Sequence, residues 1–183
     1  MACNINMSTI PQQMADMTSL TVPIVPGSAR LEDYMALPEG TPVELIKGEL
    51  AQSPAPLYIH QAVLIRLTEL LAPVARAEGG KLAVAPTDVV LADDTVVQPD
   101  LICITKARRH ILRQRVEGAP DLVIEIVSPS HARRDRVHKL ALYAEHGVAE
   151  YWIVDPEDKV FQFMTLVDGS FQIAVPVGDT FKS

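Results

Sequence analysis

The chain has 183 residues, a formal net charge of -7 and two cysteines, Cys3 and Cys103. That length suits a single core needing no disulfide or metal staple, and two cysteines so differently placed exclude a disulfide framework and a Cys-based zinc site. The acidic balance argues against nonspecific coating of nucleic acid, and with no stretch near the ~20 apolar residues of a membrane span and no basic-then-apolar leader, a cytoplasmic protein without membrane contact is expected.

Residues 1–28 scatter Met, Pro, Ser and Gln without a period and are expected to be disordered, which leaves one domain over residues 29–183. L-E-D-Y-M-A-L-P reads as a short helix stopped by Pro38, and V-E-L-I-K-G-E-L-A-Q as two strands about a Lys47-Gly48 turn. H-Q-A-V-L-I-R-L-T-E-L-L has apolar residues at 63, 64, 67, 70, 71 and 74, a helical stripe that Pro73 should kink or end. K-L-A-V-A-P-T-D-V-V-L and V-V-Q-P-D-L-I-C-I flank A-D-D-T as strand, tight turn and strand. The basic segment 105–119 leads to the strand D-L-V-I-E-I-V, to a helix over about 131–146 capped by Ser130 and ended by Gly147, and to the strand Y-W-I-V-D. Tyr151 and Trp152 in that last strand are expected in the core, and a hairpin about Asp168-Gly169 follows. Helix, strand, strand, strand, helix, strand, with hairpins at both ends, predicts an α/β layered domain.

Glu125 is the anomaly. It sits among Leu, Val and Ile in a strand patterned for burial on both faces, where an unpaired carboxylate costs several kcal/mol. A salt bridge, a raised pKa or a cation shared with a second acid would each compensate it. Asp100, after Pro99 at the entrance of the preceding apolar strand, is the candidate second acid, because paired strands lie ~4.8 Å apart. Hard oxygen ligands suit Mg2+ or Mn2+. Lys139 stands four residues after Asp135, which is also the spacing of an ordinary helix-surface pair worth ~0.3–0.5 kcal/mol. Lys106, Arg108, Arg109, Arg113 and Arg115, with Arg133 and Arg134, concentrate positive charge in one part of the chain. They read either as a solvated face or as contacts to a phosphate backbone.

P-D at 99–100, E-I-V-S-P-S at 125–130, then Asp135, Lys139, Tyr143 and G-V-A-E-Y-W-I-V-D-P at 147–156 together resemble the Uma-type restriction endonuclease family of the PD-(D/E)XK nuclease superfamily. E-L-I-K-G-E-L and His60 resemble its N-terminal segment. The resemblance implies an αβββαβ restriction-endonuclease-like core, a central mixed sheet flanked by helices. It implies metal-dependent hydrolysis of phosphodiester bonds, with DNA as the expected substrate, Asp100, Glu125 and Lys139 as catalytic residues, and a homodimer. The superfamily's usual lysine, two residues after the strand carboxylate, is Val127 here, and Lys139 takes the matching place on the following helix.

Glu44 matches the family's early acid, and with Asp88 it is a candidate for completing the metal shell. His60 is an active-site candidate or a hydrogen-bonded core histidine. Ser128 has no activating base at readable spacing. A catalytically inactive nuclease fold serving as an oligomeric binding or regulatory module is the competing expectation, favoured by the acidic charge and Val127. The family pattern would continue past G-D-T-F-K-S, so a truncated C-terminus is also an expectation.

Overall fold

The computed structural model describes residues 27–53, 55–127 and 132–174, and of residues 132–137 the backbone alone. The expectation for residues 1–26 and those for Ser128 and Ser130 lie outside the described residues.

Helix α1, Leu31–Met35, opens where the Arg30 amide donates to Asp33 Oδ2 at 2.8 Å. Strands β1 (Val43–Ile46) and β2 (Glu49–Gln52) form the first hairpin. Its two turn residues, Lys47 and Gly48, both have positive φ, 50° and 80°, the mirror-image turn whose twist matches paired strands.

Helix α2 spans Tyr58–Ala77 and runs through Pro73. Proline removes one helical hydrogen bond, yet the helix continues for a last turn in which Arg76 Nε donates to the Ala72 carbonyl at 3.1 Å. The buried stripe is narrower than its apolar periodicity: Leu64, Leu67 and Ala75 are buried, whereas Leu70 and Val74 are exposed.

The expected central hairpin is broken in two on each side. β3 (Lys81–Val84) pairs with β6 (Leu101–Ile104), and β4 (Val89–Ala92) pairs with β5 (Thr95–Val97). Pro86 and Pro99, without N–H donors, sit at the breaks, where a continuous ladder cannot pass. The outer half of the hairpin joins a first sheet ordered β2-β1-β5-β4-β7, and the inner half joins a second sheet ordered β11-β10-β9-β8-β6-β3.

The basic segment forms a 3-10 helix over Lys106–Ile111 and the two-residue β7, Val116–Glu117, parallel to β4. Then come β8 (Leu122–Ile126), α3 (Ala132–Glu145), β9 (Glu150–Asp155), β10 (Val160–Val167) and β11 (Ser170–Ile173). Gly147, at φ 76°, ends α3, and the Val148 amide closes back on the Tyr143 carbonyl at 3.0 Å. β8 and β9 are parallel neighbours linked through α3. The order α2-β3-β6-β8-α3-β9 is thus the expected αβββαβ core, a mixed sheet with one helix on each face.

Alternation along β8 decides what each layer meets. Leu122, Ile124 and Ile126 pack with Leu64 and Leu67 of α2, while Val123 packs with Leu142 and Tyr143 of α3. Tyr151 and Trp152 are both buried, as expected. No helix among the described residues is long and apolar enough to cross a membrane.

Candidate active site

Every residue of β8 is buried, Glu125 included, at 9 % exposure. Strand parity turns its side chain toward α3, on the face of Val123. There Lys139 Nζ donates to Glu125 Oε1 at 3.0 Å, and the Tyr143 hydroxyl donates to the same oxygen at 2.6 Å. Burial pushes the Glu125 carboxyl up to about 7; Lys139 pulls it down, and Asp100 and Glu44 raise it. Burial alone would lower the Lys139 ammonium, but Glu125 and Glu44 outweigh it and hold the group above its ordinary value, so Lys139 stays a cation. Burial keeps the Tyr143 hydroxyl protonated, well above the usual phenol range.

Lys139 therefore points inward from α3 and away from the role of a helix-surface cation. The side chain of Asp135 lies outside the described residues. Val127, where the superfamily carries its lysine, packs against the core on the α3 side and lines the cleft.

Asp100 arrives by register. Leu101, the first residue of β6, pairs with Ile124, the residue before Glu125, so Asp100 and Glu125 lie at the same end of this antiparallel ladder. Both line the same cleft. Asp100 Oδ2 accepts the Ile126 amide at 2.7 Å and lies 3.1 Å from His60 Nε2. His60 comes from the first turn of α2, in the opposite layer. Its hydrogen bond to Asp100 raises its pKa against the lowering effect of burial, with the Asp100 and Glu125 charges adding to the rise. The other ring nitrogen, Nδ1, is buried and has no hydrogen-bond partner among the described residues.

Glu44, on β1, is 7 % exposed. Its Oε1 accepts the Gln98 amide at 2.8 Å and stands 3.4 Å from Lys139 Nζ. Lys139 is thus the cation between a carboxylate of the first sheet and one of the second. Asp88 belongs elsewhere: it precedes β4 and accepts the Tyr34 hydroxyl and Gln98 Nε2, both at 2.9 Å, and does not line the cleft. The basic residues are also dispersed. Lys106, Arg108 and Arg109 follow the end of β6 opposite to Asp100. Arg113 pairs with Glu117 at 3.1 Å, Arg115 donates to Met35 Sδ, and both border a separate cavity of about 590 Å³. The side chains of Arg133 and Arg134 lie outside the described residues.

Asp100, Glu125, Glu44, Lys139 and His60 line one cleft of about 650 Å³ between the two sheets and the start of α2. The Gln98 amide is a partner that sequence reasoning did not single out, and Tyr143 was part of the family pattern without a role assigned to it. Tyr143 carried a signal, being four residues after Lys139 and so on the same helix face.

The donor chemistry fits a hard cation. Among the described residues both donors to Glu125 fall on Oε1, and both to Asp100 fall on Oδ2. Glu125 Oε2 and Asp100 Oδ1 accept no hydrogen bond from the described residues. Among the described residues no three His, Cys, Asp or Glu side chains gather into a ready-made cation shell. Two carboxylate oxygens with water completing the shell is the usual provision for Mg2+.

The fold is similar to a solved structure of a putative nuclease belonging to DUF820 from Anabaena variabilis ATCC 29413. The TM-score is 0.68 at 21 % identity, over 81 % of this chain and 88 % of that one. No curated protein matches the chain. A family described as "Putative restriction endonuclease" matches residues 31–181, and by that match the chain belongs to the Uma2 family.

Proposed function

We propose that the chain is a nuclease that hydrolyses phosphodiester bonds of DNA with the help of Mg2+ or Mn2+. The observation that carries this reading is that Asp100 and Glu125, at the same end of the β6–β8 ladder, line one cleft with Lys139, whose Nζ is 3.0 Å from Glu125. Asp100 and Glu125 would hold the ion, with carboxylate oxygens that no donor among the described residues occupies. When bound, the ion supplies positive charge for the phosphoryl oxygens and acidifies a water for attack. Lys139 keeps its proton, fixes Glu125 and offsets the negative charge that grows at the phosphorus. Tyr143 shares the load on Glu125 Oε1 from below, inside the core.

Arg133 and Arg134 belong to the start of α3, and contact with the phosphate backbone is the role this reading gives them. Lys106, Arg108, Arg109, Arg113 and Arg115 serve flanking or positioning contacts, since they lie off the cleft. A homodimer would bring two such centres to the two strands of a duplex.

The test is cleavage of linear, nicked and single-stranded DNA, with RNA alongside, in Mg2+ or Mn2+. Cleavage by the natural chain, lost on chelation and lost by at least 100-fold in Asp100→Ala and Lys139→Met, is expected. Unchanged cleavage by Asp100→Ala would remove the mechanism. Binding of nucleic acid with no cleavage under any ion would favour the inactive binding module.

A further inference from the structure

We propose that His60 is a positioning residue for the cation: from α2 it occupies one oxygen of Asp100 and so presents the other to the ion. This inference rests on the reading of Asp100 and Glu125 as cation ligands.

Asp100 stands at the mouth of β6, just after Pro99 and before the first paired residue, Leu101. Among the described residues its carboxylate is held through Oδ2, by the Ile126 amide at 2.7 Å and by His60 Nε2 at 3.1 Å. The two donors come from different elements, one from the neighbouring strand and one from the helix layer above. Together they fix both the position and the rotation of the carboxylate, which a single donor leaves free to turn. The same division recurs on Glu125, where Lys139 and Tyr143 of α3 share Oε1. Each acid is pinned through one oxygen by a helix, α2 for Asp100 and α3 for Glu125, from opposite faces of the sheet.

The histidine ring itself argues for this role. His60 is largely buried at the start of α2, and among the described residues Nδ1 meets no hydrogen-bond partner in good geometry. What the ring does supply is Nε2, aimed at Asp100. Mg2+ demands near-ideal octahedral geometry, so a ligand carboxylate that can turn binds it poorly. Groups that orient a metal ligand typically change affinity 10- to 100-fold when removed.

The experiment is titration of the full chain with Mn2+, read by calorimetry and by the electron paramagnetic resonance of free Mn2+, with thermal unfolding measured in parallel. His60→Ala should weaken Mn2+ binding about 10- to 100-fold. His60→Gln, whose amide nitrogen reaches the place of Nε2, should restore it to within a few fold. His60→Met keeps length and apolar bulk without a donor and should behave as His60→Ala, which covers the case that the alanine variant does not fold. Asp100→Ala should abolish binding. Wild-type affinity in His60→Met, with binding still lost in Asp100→Ala, would overturn the role of His60 and leave the cation site standing. Equal loss in His60→Gln and His60→Met would overturn the role as well, because the donor would then not be what matters. Absence of Mn2+ binding by the natural chain would overturn the cation site and, with it, this inference.

Discussion

The fold raises the pKa of both Glu125 and His60. Burial raises the Glu125 carboxyl from its ordinary value of 4.5 to about 7, so between those values the folded chain holds a proton that the unfolded chain has released. Stability therefore falls as pH rises through that window and levels off above it. His60 is raised from 6.5 by its bond to Asp100; the stability this adds is complete below 6.5 and is lost as pH rises through the folded value. In chelator, the melting temperature should drop between pH 5 and 8, and Glu125→Gln should flatten the lower part of the drop. A rise with pH in the metal-free protein would contradict both shifts. At this scale the sequence disclosed the anomaly and much of its resolution: an acid inside an apolar run, a second acid at a strand entrance, a lysine on the next helix. It could not disclose the bond from His60, because that contact joins layers separated by 40 residues of chain. Asp88 misled because a strand was read through Pro86, which the ladder cannot cross, and the break sends Asp88 to Tyr34 and Gln98.

Elements were legible wherever local chemistry dictates them. The Lys47-Gly48 and Asp168-Gly169 turns have positive φ at both residues, as their sequences require. The two glycines nevertheless differ in surroundings. A Cβ on Gly48 would meet the Gly27 carbonyl oxygen at 2.5 Å, whereas one on Gly169 would meet nothing within 4 Å. Gly169→Ala should cost about 1 kcal/mol, from backbone conformation alone. Gly48→Ala should cost about 1–3 kcal/mol more, since Gly27 has to move, and urea midpoints of the two variants would measure the difference. Equal midpoints would mean that the approach of Gly27 is not held in solution. The course of α2 past Pro73 was less legible, because only one helical bond is lost and the last turn is held from elsewhere: the Gly80 amide reaches the Ala75 carbonyl at 2.7 Å.

Across the whole molecule, the split hairpin is what creates the cleft. Its inner half carries Asp100 into one sheet, its outer half joins the sheet of Glu44, and the gap between them is lined by acids from both. An ion bound there stabilises the folded chain by mass action, by about 2.7 kcal/mol at a concentration 100 times its dissociation constant. Millimolar Mg2+ at pH 8 should therefore raise the melting temperature of the natural chain and leave that of Asp100→Ala unchanged. The same rise in both would place the ion elsewhere. Charge was the least legible feature at this scale: clustering of Lys106 to Arg115 in sequence says nothing about which end of β6 they reach, and the fold carries them past the end remote from Asp100.

The sheet is gripped at its acids from both sides, by His60 on one surface and by Lys139 with Tyr143 on the other. Neither helix alone completes the grip. A disturbance that unseats either of them would deprive the centre of its ligand geometry while the apolar strands between still hold together, so catalytic competence would become a readout of both outer layers being docked.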